Sequence, residues 1–210
     1  VVRDEAEWLG DLLSRPDHFL ASGQLLKDGS TCTVARAGVE GRQVVIKRYN
    51  LKGVGHALSR AWRPTRAWHS WREGHRLRFL EIATPAPLAL VEERVGPLRR
   101  RAWLVTEFCE GPRLWELLQP AAEPPAEIAR ALLAFVDALR CARISHGDFK
   151  AANLFWHDGE IVVIDLDAMV QHRTDEAYRK AWRRDRARLL RNWPADSVLV
   201  RWLDANLPSA

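Results

Sequence analysis

A chain of 210 residues with 47% hydrophobic side chains and no long polar tract can bury a core, and it suits one domain or two small lobes. No apolar run approaches the roughly 20 residues that cross a bilayer, and Val1 to Glu7 are acidic rather than signal-like, so a cytoplasmic protein is expected. The net charge of +5 is modest, and the widely spaced Cys32, Cys109 and Cys141 support neither a disulfide framework nor a zinc site.

In chain order, Leu25 to Ala37 and Gln43 to Tyr49 read as two strands joined by a turn at Gly38 to Gly41, because their apolar residues alternate or run on as sheet requires. Arg66 to Leu80 follows as a helix that stops before Pro85. Leu88 to Val95 and Arg101 to Phe108 form a further strand pair, turned at Gly96-Pro97. Leu114 to Leu118 is a short helical piece, and Pro120 to Pro125 a breaker-rich loop. Pro125 to Cys141 is the clearest helix, with Ile128, Leu132, Phe135, Val136 and Leu139 on one face. Asn153 to Trp156 and Ile161 to Ile164 flank an Asp158-Gly159 turn as a hairpin, and Asp175 to Asn192 is helical again. The predicted class is α+β: a small, mostly antiparallel sheet with one helix over residues 1–108, then a helical half over 109–210.

Basic residues are clustered. Arg60, Arg63, Arg66, Arg72, Arg76 and Arg78 are interleaved with Trp62, Trp68 and Trp71, and a second run holds Arg173, Arg179, Lys180, Arg183, Arg184, Arg186, Arg188 and Arg191. Such surfaces attract phosphates and other anions. The same pattern also fits a solvated helix face with tryptophans anchoring it to the core.

The stretch from His146 through Gly147, Asp148, Phe149, Lys150, Ala151 and Ala152 to Asn153, followed by the apolar strand ending at Asp165, carries the chemistry. Phosphoryl transfer to a hydroxyl needs a carboxylate beside the nucleophile, cation ligands beside the nucleotide phosphates, and positive charge against the developing negative charge. Asp148 would orient the acceptor hydroxyl and take its proton, Asn153 and Asp165 would hold Mg²⁺ through oxygen, and Lys150 would reach the transferred phosphate.

This run resembles the catalytic loop and metal-binding aspartate of the protein-kinase-like superfamily, whose loop reads His-Arg-Asp-Leu-x-x-x-x-Asn. The resemblance implies a bilobal fold with a strand-rich N-lobe, a reduced helical C-lobe, and ATP with Mg²⁺ as cofactors. It assigns Lys47, ending Val44-Val45-Ile46, to the nucleotide phosphates, with Glu73 on the following helix as its ion-pair partner. Of the superfamily's three loop glycines only Gly29 is retained, in a turn whose amides could face phosphate. Backbone groups of Glu107 and Cys109 fall where these folds pair with adenine. Asp185, alone among arginines, matches the aspartate that supports the catalytic loop from a C-lobe helix.

Gly147 in place of arginine, and too short a chain after Asp165 for a peptide-binding platform, resemble the small-molecule and carbohydrate kinases of this superfamily. From Leu25 to Pro194 the chain is similar to the bacterial lipopolysaccharide kinase family, which phosphorylates Kdo or heptose sugars of the inner core. The matching parts are Lys47-Arg48-Tyr49-Asn50, Trp71-Arg72-Glu73, Thr84-Pro85 with Pro87, His146 to Asn153, Ile164 to Asp167, and Arg184 to Leu189. An anionic glycolipid or sugar acceptor and peripheral contact with the inner membrane follow from the resemblance; nucleic acid is not expected as a partner. A kinase of another small molecule, a protein kinase and a nucleotide-binding pseudokinase are the competing readings.

Overall fold

The structure, a computed structural model, describes residues 7–50, 64–96 and 98–209. Arg60, Trp62, Arg63 and Pro97, named above, lie outside the described residues. The chain divides into two compact units. One runs to His75 and resumes from Pro85 to Phe108; the other takes Arg76–Thr84 and the chain from Cys109 onward. The end of the Arg66 helix and the loop after it, counted with residues 1–108 in the sequence reading, thus cluster with the second unit.

The first unit is built on five strands, β1 (Gln24–Asp28), β2 (Cys32–Val39), β3 (Arg42–Tyr49), β4 (Pro87–Val95) and β5 (Leu98–Glu107), in the order β1-β2-β3-β5-β4. All four pairings are antiparallel. The expected single strand Leu25 to Ala37 is two strands, because the chain turns at Gly29 and Ser30 and β1 folds back onto β2. The tight β2–β3 turn uses Glu40 and Gly41, both at positive φ, as a two-residue hairpin loop requires.

Side chains alternate across this sheet, so each face has its own cover. Ala35, Ala37, Val44, Ile46, Trp103 and Val105 pack with Leu9, which precedes α1 (Gly10–Ser14), with Leu12 of α1 and with Leu20 of α2 (Pro16–Ser22). These two helices were absent from the sequence reading, which placed a single helix in this half. Asp17 ties α2 down: it accepts from the Trp103 indole at 2.8 Å and from Arg101 at 2.9 Å. The opposite face presents Tyr49, Ala102 and Leu104 to Ala67 and Trp71 of α3 (Arg66–Phe79).

The second unit centres on α5 (Ala126–Cys141), whose predicted inward residues Ile128, Leu132, Phe135, Val136 and Leu139 are all buried. Each such side chain contributes about 1.5–3 kcal/mol on leaving water. Around it lie α4 (Leu114–Leu117), the paired short strands β6 (Ile144–Ser145) and β9 (Val170–Gln171), the hairpin β7 (Leu154–His157) and β8 (Glu160–Val163), and helices α6 (Asp175–Leu190) and α7 (Val198–Asn206). Thr174 caps α6 by accepting the Ala177 amide, which fixes where that helix begins. Its buried residues Tyr178, Trp182, Asp185 and Leu189 recur at helical spacing on one face.

Candidate active site

The hairpin β7–β8 is held on both sides, which fixes the two segments flanking it. Val163 donates its amide to the Ala83 carbonyl at 3.0 Å and accepts the buried Thr84 hydroxyl at 2.8 Å. On the other side the Trp156 amide donates to the Pro112 carbonyl at 2.9 Å. At the open end the Ile164 amide donates to the Asn153 carbonyl at 3.0 Å. Asn153 therefore faces the segment that carries Asp165, whose φ of 62° turns the chain sharply out of the strand and into a 3₁₀ turn at Leu166–Ala168.

The segment His146 to Asn153, the candidate catalytic loop, leads into this hairpin and is anchored by Phe149, which is buried between Phe135 and Trp182. Asp148 stands beside that anchor, with Lys150 Nζ 2.8 Å from its Oδ2 and Arg188 Nη1 2.8 Å from its Oδ1. Asn153 Nδ2 donates to the Asp148 carbonyl at 3.0 Å and to Oδ2 at 3.3 Å. Partial burial pushes the Asp148 carboxyl up, but Lys150, Arg188 and Asn153 together outweigh it and hold it below the usual carboxylate range. It is therefore ionised near neutral pH, the state in which it can orient a hydroxyl and accept its proton.

Beneath the loop, Asp185 accepts the amides of His146 at 2.7 Å and Gly147 at 3.0 Å, and its side chain is buried, as the sequence predicts. His146 is fully buried, its Nε2 lies 3.0 Å from the Ile164 carbonyl, and its Nδ1 accepts the Asp148 amide at 3.2 Å. Those two contacts assign the neutral tautomer with the proton on Nε2, and burial pushes the imidazole down in the same direction. Burial likewise pushes Asp185 up, while the two amides it accepts pull it back.

The candidate cation ligands fit a hard ion. Asn153 spends its amide nitrogen on Asp148, which turns its oxygen away from that carboxylate, and Asp165 supplies a second oxygen donor. Mg²⁺ takes one or two protein oxygens and completes its shell with water and nucleotide phosphate. Among the described residues no group of three or more His, Cys, Asp or Glu forms a metal cage.

In the first unit, Lys47 lies on the sheet face shared with Tyr49, the face α3 covers, and its ammonium is 5.0 Å from the Tyr49 ring centroid. Tyr49 in turn hydrogen-bonds Ser70 of α3 at 3.3 Å. Glu73, one turn on from Ser70, is fully buried and accepts from the Arg72 guanidinium at 2.8 Å. The carboxylate expected to pair with Lys47 is thus buried within this unit, with the Arg72 guanidinium beside it.

One expected backbone role is lost and another is narrowed. The Gly29 amide donates to the Cys32 carbonyl at 3.1 Å, so it closes the β1–β2 turn and is not available to a phosphate. The Glu107 amide donates to the Ala86 carbonyl at 3.0 Å, so of its backbone groups only the carbonyl, which also accepts the Thr106 hydroxyl at 3.1 Å, can face a base, and its side chain accepts the Ala86 amide. Cys109 is half-buried; burial, with Glu110 nearby, pushes its thiol up to about 11, so it is not a nucleophile. Arg188 and Thr84 hold the site yet were not singled out as site residues. Arg188 could have been found from its position three residues after Asp185, on the same side of a helix.

A family model described as the lipopolysaccharide kinase (Kdo/WaaP) family matches residues 20–206. The chain belongs to this lipopolysaccharide kinase family. A solved structure described as WaaP in complex with acyl carrier protein has a similar fold, with a TM-score of 0.59 and 20% identity over 90% of this chain and 77% of that one. No curated protein matches the sequence. Membership in a lipopolysaccharide kinase family makes the chain a phosphotransferase of the kinase type, and the α+β kinase-like fold agrees with the structural neighbour. No described helix is long and apolar enough to cross a membrane.

Proposed function

We propose that this protein transfers the γ-phosphoryl group of ATP to a sugar hydroxyl, on Kdo or heptose, of the lipopolysaccharide inner core. The observation that carries this reading is the ionised Asp148 flanked by Lys150 and by Asn153 on a loop held rigidly from below. In this reading Asp148 orients the acceptor hydroxyl and receives its proton as the oxygen attacks the γ-phosphorus. Lys150 moves from Asp148 to the transferred phosphoryl oxygens. Asn153 and Asp165 hold Mg²⁺, which neutralises phosphate charge when bound. Lys47 binds the nucleotide phosphates and pairs with Glu73, and the Glu107 carbonyl and Cys109 amide pair with adenine.

The outer face of α6 supports an anionic acceptor. Arg179, Lys180, Arg183 and Arg184 are exposed, and among the described residues none of them pairs with a carboxylate. Guanidinium forks bind phosphate and carboxylate in bidentate fashion, so such a face suits a charged glycolipid and peripheral attachment at the inner membrane. An acyl carrier protein, the partner in the WaaP structure, is a further candidate partner here.

The test is phosphate transfer from labelled ATP by the purified protein with Mg²⁺, offered core lipopolysaccharide, a small free sugar or a generic protein. Label is expected in the core lipopolysaccharide. Label in protein alone would favour a protein kinase, and nucleotide binding with no transfer to any acceptor would favour a pseudokinase.

A further inference from the structure

Kinase-like catalytic loops of the His-Arg-Asp type carry an arginine immediately before the base, and here that position is Gly147. The backbone there forbids a side chain. Gly147 has φ +79°, and a Cβ on it would lie 2.5 Å from the Ala168 carbonyl oxygen and 2.7 Å from the Ala168 Cβ. A cation nevertheless stands beside the base, and it comes from the helix below the loop.

Arg188 Nη1 donates to the Gly147 carbonyl at 2.7 Å and to Asp148 Oδ1 at 2.8 Å. Asp185, three residues earlier on α6, accepts the Gly147 amide. One turn of one helix therefore grips Gly147 by both its N–H and its C=O, and the base by one carboxylate oxygen. Arg188 is 42% exposed at its side chain, so its ion pair adds little to stability. Its two contacts instead span a main-chain carbonyl and a carboxylate, a job that suits the planar guanidinium better than an ammonium.

We propose that Arg188 is the positioning residue for Asp148, standing in for the loop arginine that Gly147 excludes. By taking Oδ1 it fixes the carboxylate rotamer from the side away from Oδ2, the oxygen that Lys150 holds at 2.8 Å and Asn153 at 3.3 Å and that meets the acceptor hydroxyl once Lys150 moves to the phosphoryl group.

This assignment rests on the kinase reading, so one arm of its test needs no turnover. Crystal structures of the wild-type protein and of Arg188→Ala should show the Asp148 carboxylate in different rotamers, with the Asp185 contacts intact in both. In the transfer assay, Arg188→Ala should lose about 10²-fold in kcat, the scale of a misplaced catalytic group, with KM for ATP and Tm unchanged. Guanidinium ion at low, non-denaturing concentration should restore part of that loss, ammonium ion at equal concentration should not, and Arg188→Lys should fall between the two. An unmoved Asp148 in the variant crystal, a wild-type kcat, or lost activity with a lowered Tm and no guanidinium rescue would overturn the assignment. If the wild-type protein transfers no phosphate the kinase reading falls, and the Asp148 rotamer still decides what Arg188 does.

Discussion

The carboxylate of Asp185 accepts the amide N–H of His146, 39 positions earlier in the chain, at 2.7 Å, and the next amide, Gly147, at 3.0 Å. Removing it strands two donors under the loop, each costing about 1–3 kcal/mol. Asp185→Ala should therefore lower the unfolding free energy by roughly 2–5 kcal/mol in urea titrations and abolish transfer. A loss under about 0.5 kcal/mol, the range of ordinary surface changes, would mean the carboxylate does not support the loop.

Gly147 and Gly159 share nearly the same backbone, at φ +79° and +82°, but not the same surroundings. A Cβ at Gly159 meets nothing within 4 Å, whereas at Gly147 it meets Ala168. Gly159→Ala should cost only the left-handed strain of about 1–2 kcal/mol. Gly147→Ala should cost more, and should also displace the 3₁₀ turn after Asp165. Comparing the two variants by thermal unfolding checks this; equal losses would show that the close approach to Ala168 is unimportant.

The neutral, buried His146 makes stability pH-dependent. Burial lowers its folded pKa below that of the unfolded chain, so the unfolded state takes up the proton first as pH falls. Its stabilising contribution is full above the ordinary value of about 6.5 and declines as pH drops through that value toward the folded one. Urea midpoints should fall between about pH 7.5 and 5.5, and His146→Gln should start less stable with a flatter slope. The difference in slope separates His146 from Asp185, whose raised carboxyl pulls the opposite way. Parallel slopes would contradict the neutral assignment.

Local chemistry was the legible part of this sequence. Asp148, Lys150 and Asn153 lie within six consecutive residues, so their meeting depends on one loop, and Asp185 stood out as a lone acid among arginines. Whether an amide is free depends on pairing that the sequence does not spell out. Gly29 looked like ligand-facing backbone, but its N–H is taken by Cys32, and at Glu107, whose N–H goes to Ala86, only the carbonyl is left for that role. Helices α1 and α2 escaped notice because they are short, are split at Pro16, and bury only one leucine each, Leu12 and Leu20. Arg188 was one cation in a run of many, and only its helical phase relative to Asp185 distinguishes it.

The most direct measurement is transfer from ATP to core lipopolysaccharide by the wild-type protein, Asp148→Asn and Asp165→Asn, with nucleotide binding followed in parallel. In the proposed mechanism Asp148 faces the acceptor and Asp165 the cation, so the two variants should fail differently. Asp148→Asn should bind Mg²⁺-ATP normally and lose transfer by about 10²–10⁴-fold, the usual contribution of a general base. Asp165→Asn should lose transfer together with the Mg²⁺-dependence of ATP binding. Near-normal transfer by either variant, or equal loss of nucleotide binding in both, would contradict the account.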